Sequence, residues 1–244
     1  MSSQLTTIFF DVGNTLLFPD RPHILAPLHQ RNIHPTIEQL HAAERITKRK
    51  FDAILEGGGT LDHGFWSMYY MHLLEDVGVQ DEALHHQLAD SMRYSANWSR
   101  MLPGTREILD RLAKQFRLGV ISNADGKVAT VLERCGIAEC FGTITDSGVV
   151  GHEKPHPAIF QAALQSMNAQ PHESLYVGDV YSVDYLGATR AGMQAILFDV
   201  AGTYRDRSLL RVESLEELER RLKLASVPSH ATCQEMRYYS SEIT

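Results

Sequence analysis

The sequence predicts an α/β fold, a doubly wound, Rossmann-like parallel sheet with an all-helical insertion. Three observations predict it. The first is a set of short apolar runs that each end in a polar residue: Thr7 to Phe10 before Asp11, Leu118 to Ile121 before Ser122, Leu175 to Val177 before Gly178 and Asp179, and Ala195 to Phe198 before Asp199. A weaker fifth run spans Phe141 to Thr145 before Asp146. Continuously apolar runs of strand length suit strands buried on both faces. The second is that amphipathic segments lie between these runs, the alternation expected of a parallel sheet with crossover helices. The third is a break in that alternation, where residues 19 to 98 carry helical patterns only.

The helices follow in order. Thr105 to Phe116 places Ile108, Leu109, Leu112 and Phe116 on one face, and Lys127 to Arg134 follows the second strand. Pro157 to Asn168 opens on a proline suited to a first helical turn. Asp184 to Ala191 stops before Gly192, and Ser214 to Glu217 reads as a capping box opening a last helix to about Leu224. Within the insertion, helices are expected over about Pro22 to Arg31, Thr36 to Leu55, Asp62 to Val77 and Asp81 to Asn97. The predicted organisation is thus an α/β core of residues 1–18 and 99–225, a helical cap of residues 19–98, and a loosely packed tail of residues 226–244. An insertion directly after the first strand stands over that strand's C-terminal end.

The 244 residues carry a net charge of −7, with 43% apolar and 22% charged side chains. That composition is ordinary for a globular protein and excludes collagen, low-complexity disorder and a disulfide scaffold. The negative balance argues against general nucleic-acid binding, which needs a basic face. Cys135, Cys140 and Cys233 form no Cys-x-x-Cys pair, which points to a reducing compartment. The first residues lack a signal-peptide pattern, and no apolar stretch approaches a membrane span. A cytoplasmic protein that engages neither membrane nor nucleic acid is expected, as a monomer or weak homodimer.

Open parallel sheets bind ligands at the C-terminal ends of their strands. Asp11, Ser122 and Asp179 each follow a strand and fall on that edge, and Lys154 lies on a loop between strands. Two carboxylates invite a hard divalent cation such as Mg²⁺, which commonly bridges to phosphate, and the lysine offsets negative charge. A hydroxyl beside them completes a set suited to phosphoryl transfer, where positioning and charge neutralisation do most of the catalysis.

At these residues the chain resembles the haloacid dehalogenase-like hydrolases. Phe9-Phe10-Asp11-Val12-Gly13-Asn14-Thr15-Leu16 is similar to their first motif, Ile121-Ser122-Asn123 to the second, Lys154-Pro155 to the third, and Gly178 to Asp184 to the fourth. The four stand in the family's order and spacing over roughly residues 6 to 200. The helical insertion resembles the cap that many members carry after the first motif. The resemblance implies Asp11 as nucleophile and Mg²⁺ ligand, with Ser122 and the backbone N–H of Asn123 on the phosphoryl group. It implies Lys154 neutralising Asp11 and phosphate, and Thr15 orienting the loop after the strand. Asp179 and the backbone carbonyl of Gly13 would ligate the metal, supported by Asp184. A small phosphorylated substrate follows.

One position departs from the phosphatase pattern. Phosphatases of this family usually place a second aspartate, the general acid, two residues after the nucleophile, where this chain has Gly13. The resemblance therefore leaves two other outcomes beside a Mg²⁺-dependent phosphatase: a silent member that binds a phosphorylated ligand or a protein, and a haloacid dehalogenase or phosphonate hydrolase. The last would need a cap lysine; Lys48 and Lys50 are available and read equally well as surface charge on a helix. His85 and His86 read as surface, Trp66, Tyr69 and Tyr70 as cap core with one of them a candidate for the pocket wall. Asp125 reads as a helix cap or a site residue.

Overall fold

The structure, a computed structural model, describes residues 4–59 and 64–226. Its main sheet is six-stranded and parallel, in the order β5-β4-β1-β6-β7-β8, and its strands are β1 (Thr7–Phe10), β4 (Arg117–Ser122), β5 (Thr143–Asp146), β6 (Ser174–Gly178), β7 (Gln194–Phe198) and β8 (Arg211–Val212). The chain builds outward from β1 to one edge and then to the other, so the switch in strand order falls at β1. Phe10 aligns with Val120 on one side and Val177 on the other. Asp11, Ser122 and Asp179 therefore emerge from three adjacent strands at one edge.

The strands are apolar throughout because both faces are covered. Ile8, Phe10, Val120 and Val177 pack on one face with α6 (Thr105–Leu112), α7 (Val128–Arg134) and α11 (Leu215–Ser226). Phe9, Ile121 and Tyr176 pack on the other with α9 (Pro157–Ser166) and α10 (Leu186–Arg190). The period of two along each strand thus divides residues between two cores instead of between core and water.

Between β1 and β4 the chain forms α1 (Arg21–Ile24), α2 (Ala26–His29), α3 (Ile37–Glu56), α4 (Gly64–Asp76) and α5 (Glu82–Ser91), with a core of their own that includes Leu28, Leu40, Leu73, Leu84 and Leu88. The 20-residue α3 opens on a capping box of Thr36 and Gln39. The insertion leaves and rejoins the sheet through an antiparallel pair, β2 (Phe18–Pro19) with β3 (Trp98–Arg100).

Several expected boundaries shift. The helix expected over Pro22 to Arg31 divides at Leu25, where Pro27 brings no N–H. The helix expected from Asp81 stops at Ser91, and Ser95–Asn97 form a 3₁₀ turn whose Ser95 bonds the Asp125 carboxylate. The helix from Asp184 is preceded by a π-helical turn over Tyr181–Tyr185, and α10 starts at Leu186. Ser214 Oγ accepts from Glu217 N–H at 3.2 Å, but Glu217's carboxylate accepts from Glu213 N–H, one residue before the expected partner. Two-residue strands such as β2 and β8 carry no periodicity to read. Asp62, Cys233 and the tail beyond residue 226 lie outside the described residues.

Ile8→Ala in the sheet and Leu73→Ala in the insertion each remove a side chain with no solvent exposure. Each is expected to cost about 2–5 kcal/mol in urea unfolding. Ile46→Ala, at a position 45% exposed, is expected to stay within about 0.5 kcal/mol of wild type.

Candidate active site

The buried ammonium of Lys154 stands at the centre of the site. Its Nζ donates to Asp11 Oδ1 at 2.6 Å, to Tyr176 Oη at 2.8 Å and to Asp184 Oδ1 at 2.8 Å. An ammonium removed from water is retained only where its donors are met, and here three elements meet them. The Lys154 backbone is fixed in turn by Asn123, whose Oδ1 accepts from Lys154 N–H at 2.7 Å and whose Nδ2 donates to Lys154 O at 3.0 Å. The side chain of Asn123 thus ties the second motif to the third.

Asp11 is placed by the strand ladder, its N–H donating to Val177 O at 2.8 Å. Asp184 arrives from the π-helical turn, with Oδ2 accepting from Val180 N–H at 2.9 Å. A Cβ at Gly178 would come within 2.5 Å of the Asp184 carboxyl carbon, so Gly178 is what admits that carboxylate. Asp11, Asp179 and Asp184 are all buried, with oxygens within 4.8 Å of one another. Burial, together with the crowding of Asp184 and Asp179, pushes Asp11 up to about 7 against the pull of Lys154. Burial likewise pushes Asp179 up to about 6, opposed by Lys48.

Lys48 is where the structure departs most from the reading of surface charge. Its side chain is 1% exposed, and its Nζ lies 2.8 Å from Asp179 Oδ2 and 2.7 Å from Glu44 Oε1. Burial acts to lower its pKa, but Asp179 and Glu44 outweigh burial and hold it above the ordinary lysine value. Lys50 is exposed, as expected of a helix surface. Sequence periodicity reads apolar stripes, and the face of α3 that meets the sheet is polar. Arg45 donates to Ala201 O, and Arg49 to Thr203 O. Asp52 accepts from Ser182 N–H at 2.9 Å and from Tyr204 Oη at 2.9 Å. Positions 45, 48, 49 and 52 form one helical stripe.

Ser122, the last residue of β4, is buried and lines the cavity above Asp11. Thr15 is buried, but its hydroxyl has no hydrogen-bond partner among the described residues. The loop after β1 is held instead by the N–H groups of Thr15, Leu16 and Leu17, which donate to Val12 O. Gly13 is not among the positive-φ glycines. An indole crowds the position: a Cβ at residue 13 would come 3.1 Å from Trp98 Cζ3, so a side chain there would need the ring to give by a few tenths of an ångström. Trp98 is itself held by its Nε1–H donating to Met92 O at 3.0 Å and by an edge contact with Trp66, ring centroids 5.2 Å apart.

The cavity has a volume of about 200 Å³, and Phe51, Trp66 and Trp98 wall it on the side of the insertion. Trp66 is thus a wall residue, whereas Tyr69 and Tyr70 are buried in the insertion core. A wider cleft of about 830 Å³ leads outward past Arg93 and Asp125. His85 Nε2 lies 2.8 Å from Ser67 O and joins α5 to α4, while His86 is exposed. Sequence reasoning missed Tyr176, Asp52 and Trp98, and raised Lys48 only as a Schiff-base candidate weighed against surface charge. Only Tyr176 left a signal, as a hydroxyl inside an otherwise apolar run.

The haloacid dehalogenase-like hydrolase family matches residues 5–192 of the chain. The chain is 30% identical over 217 residues to the glyceraldehyde 3-phosphate phosphatase of Methanothermobacter thermautotrophicus, covering 87% of this chain and 94% of the relative. It is also 30% identical to haloacid dehalogenase-like hydrolase domain-containing protein 3 of Xenopus laevis, over 80% of this chain and 84% of the relative. Among solved structures, the HAD-hydrolase YfnB from Bacillus subtilis bound to magnesium superposes with a TM-score of 0.64 at 19% identity, covering 90% of this chain and 99% of that one. The fold is shared, the family match spans most of the chain, and the four motifs meet at one buried site. The chain therefore belongs to the haloacid dehalogenase-like hydrolases and is a hydrolase.

Proposed function

We propose that the protein is a Mg²⁺-dependent phosphatase of small phosphorylated molecules, with Asp11 as nucleophile. The observation that carries this is the carboxylate of Asp11 at a strand end, bonded to the Lys154 ammonium and grouped with Asp179 and Asp184. Asp11 would attack phosphorus, the ester P–O bond would break with its electron pair leaving on oxygen, and water would then release phosphate from the aspartyl-phosphate. Ser122 and the N–H of Asn123 would hold the transferring phosphoryl oxygens. Lys154 neutralises both Asp11 and the phosphate.

The donor set fits a hard divalent cation: three buried carboxyl groups within 4.8 Å, two of them with raised pKa values. Asp11, Asp179 and the Gly13 carbonyl would hold it, with Asp184 in support, and bound there it would draw charge from the phosphoryl oxygens. The helical insertion acts as a cap whose aromatic wall contacts the leaving group. Lys48, held as an ammonium by two carboxylates, is not the free amine that Schiff-base cleavage of phosphonates requires. We also propose that the protein works in the cytoplasm as a monomer or weak homodimer, a reading supported by the free thiols of Cys135 and Cys140. Among the described residues no helix is long and apolar enough to cross a membrane.

With no carboxyl at residue 13, and an indole against that position, the leaving group must depart nearly unaided. Aryl and acyl phosphates leave as weak bases and tolerate this; alkyl phosphates do not. A screen of phosphate release tests the function. p-Nitrophenyl phosphate and acetyl phosphate are expected to turn over with Mg²⁺, and glyceraldehyde 3-phosphate, an alkyl ester, at a rate lower by about 10²–10⁴, the contribution of a general acid. No phosphate release from any of them favours the silent reading, and halide release in EDTA favours a dehalogenase. Asp11→Asn is expected to abolish turnover with the fold intact by circular dichroism.

Gly13→Asp alone is expected to gain no alkyl-phosphate activity, because Trp98 occupies the space. Gly13→Asp with Trp98→Leu is expected to raise the alkyl-to-aryl ratio by about 10²-fold, within the range for an added acid.

Raised carboxyl pKa values fix the sign of a pH effect. A group with a folded pKa above its unfolded value stabilises fully below the unfolded pKa, and that stability is lost as pH rises through the folded pKa. For Asp11, between an ordinary 3.8 and about 7, metal-free protein is expected to lose about 1 kcal/mol from pH 6 to pH 8. Unfolding in EDTA at the two pH values measures it, and Asp11→Asn flattens the difference. Mg²⁺ at a hundred times its Kd is expected to add about 2.7 kcal/mol, and Asp179→Ala to remove that gain.

A further inference from the structure

We propose that Lys48 is a tethered cation that competes with the divalent cation at Asp179, so that docking of the helical insertion and cation binding oppose one another. This rests on the reading of Asp11, Asp179 and Asp184 as a cation site.

Three observations lead there. Lys48 lies within α3, at the sheet's C-terminal edge, and its Nζ reaches Asp179 Oδ2 at 2.8 Å with 1% of the side chain exposed. Its second carboxylate, Glu44 at 2.7 Å, belongs to the same helix. The ammonium is therefore delivered to Asp179 by the insertion as one piece with its counter-ion. Other contacts between α3 and the core are of the same polar kind: Arg45 and Arg49 on carbonyls of residues 201 and 203, and Asp52 on Ser182 N–H and Tyr204 Oη. A polar contact can separate into water at far lower cost than an apolar one, because its groups are hydrated when apart. Docking thus brings a positive charge against the carboxylate that the divalent cation needs, across an interface suited to opening.

Linkage requires that if docking disfavours the cation, the cation disfavours docking to the same degree. A docked insertion holds Asp179 neutralised; with a divalent cation in place, the Lys48 ammonium is repelled and set free. The two states differ in which cation Asp179 faces. Lys48 is a positioning residue here, acting through Asp179, and metal affinity reads its role directly.

Three substitutions test this coupling, and the second and third distinguish it from plain charge repulsion. Lys48→Met removes the competing charge, and isothermal titration with MgCl₂ is expected to show at least a tenfold lower Kd than wild type. Asp52→Ala weakens docking at a second point while removing a negative charge, which by electrostatics alone would weaken Mg²⁺ binding. Coupling predicts the opposite, a several-fold tighter Kd. Tyr204→Phe takes the hydroxyl from Asp52 with no change in charge. It is expected to act in the same direction, and it keeps the test available if Asp52→Ala does not fold. In wild type, Mg²⁺ is expected to shift tryptophan emission to longer wavelength with the same Kd, since Trp66 and Trp98, the only two tryptophans, both line the cavity above Asp11. An unchanged Kd in Lys48→Met overturns the proposal, as does equal or weaker Mg²⁺ binding in folded Asp52→Ala or Tyr204→Phe, or the absence of an emission shift. Failure of Mg²⁺ to bind any of the proteins overturns it together with the cation site. Phosphate release from p-nitrophenyl phosphate, measured in parallel with and without EDTA, judges the phosphatase reading separately.

Discussion

Everything at the sheet edge is arranged around the burial of the Lys154 ammonium. A charged group without water is tolerable only if every donor finds an acceptor. Asp11, Tyr176 and Asp184 supply those acceptors from β1, β6 and the turn that follows β6. The strand order puts β1 and β6 side by side, so the first two converge with no special device. The third needs one. The π-helical turn and Gly178 together let Asp184 fold back beneath the strand end. The local irregularity is thus a consequence of satisfying one ammonium.

The insertion is joined to this arrangement by different physics. Its own helices hold together through an apolar cluster, and the sheet has apolar cores on both faces. Between them α3 presents arginine, lysine and aspartate, paired with backbone groups and buried carboxylates. Four buried carboxyl groups, Asp11, Asp179, Asp184 and Glu44, face two ammonium groups, Lys154 and Lys48. Burial first, and that crowding of carboxylates second, raise the pKa values of Asp11 and Asp179, and a divalent cation would offset the excess negative charge.

The fold was legible because its signals are local. A buried parallel strand announces itself as an apolar run, and the residue that ends it falls on the functional edge. Asp11, Ser122 and Asp179 could be placed by that rule alone. Lys154 and Asp184 needed the family's motifs, since a loop lysine and an early helix acid carry no signal by themselves. Lys48 was in view as a cap lysine but could not be told from Lys50 or from surface charge, for a physical reason. On a helix of mixed charge, a lysine that faces water and one that faces a buried aspartate look alike, and only the tertiary partner separates them. Trp98 was hidden likewise: it lies 85 residues from Gly13, and nothing in either neighbourhood names the other. Gly13 itself was open to a backbone explanation, and its ordinary φ moves the cause to the neighbouring ring.

The contact between Trp98 and Gly13 also constrains how such a site can change over generations. A carboxylate introduced at residue 13 meets the indole, while loss of the indole first leaves Met92 and Trp66 without their partner and a hollow beside the nucleophile. Each single step is therefore expected to carry a packing cost that the pair of steps shares. The two positions are expected to be epistatic, coupling the first motif to β3, the strand through which the insertion rejoins the sheet. A change of leaving group that needs a carboxylate at residue 13 would then call for a change at residue 98 as well.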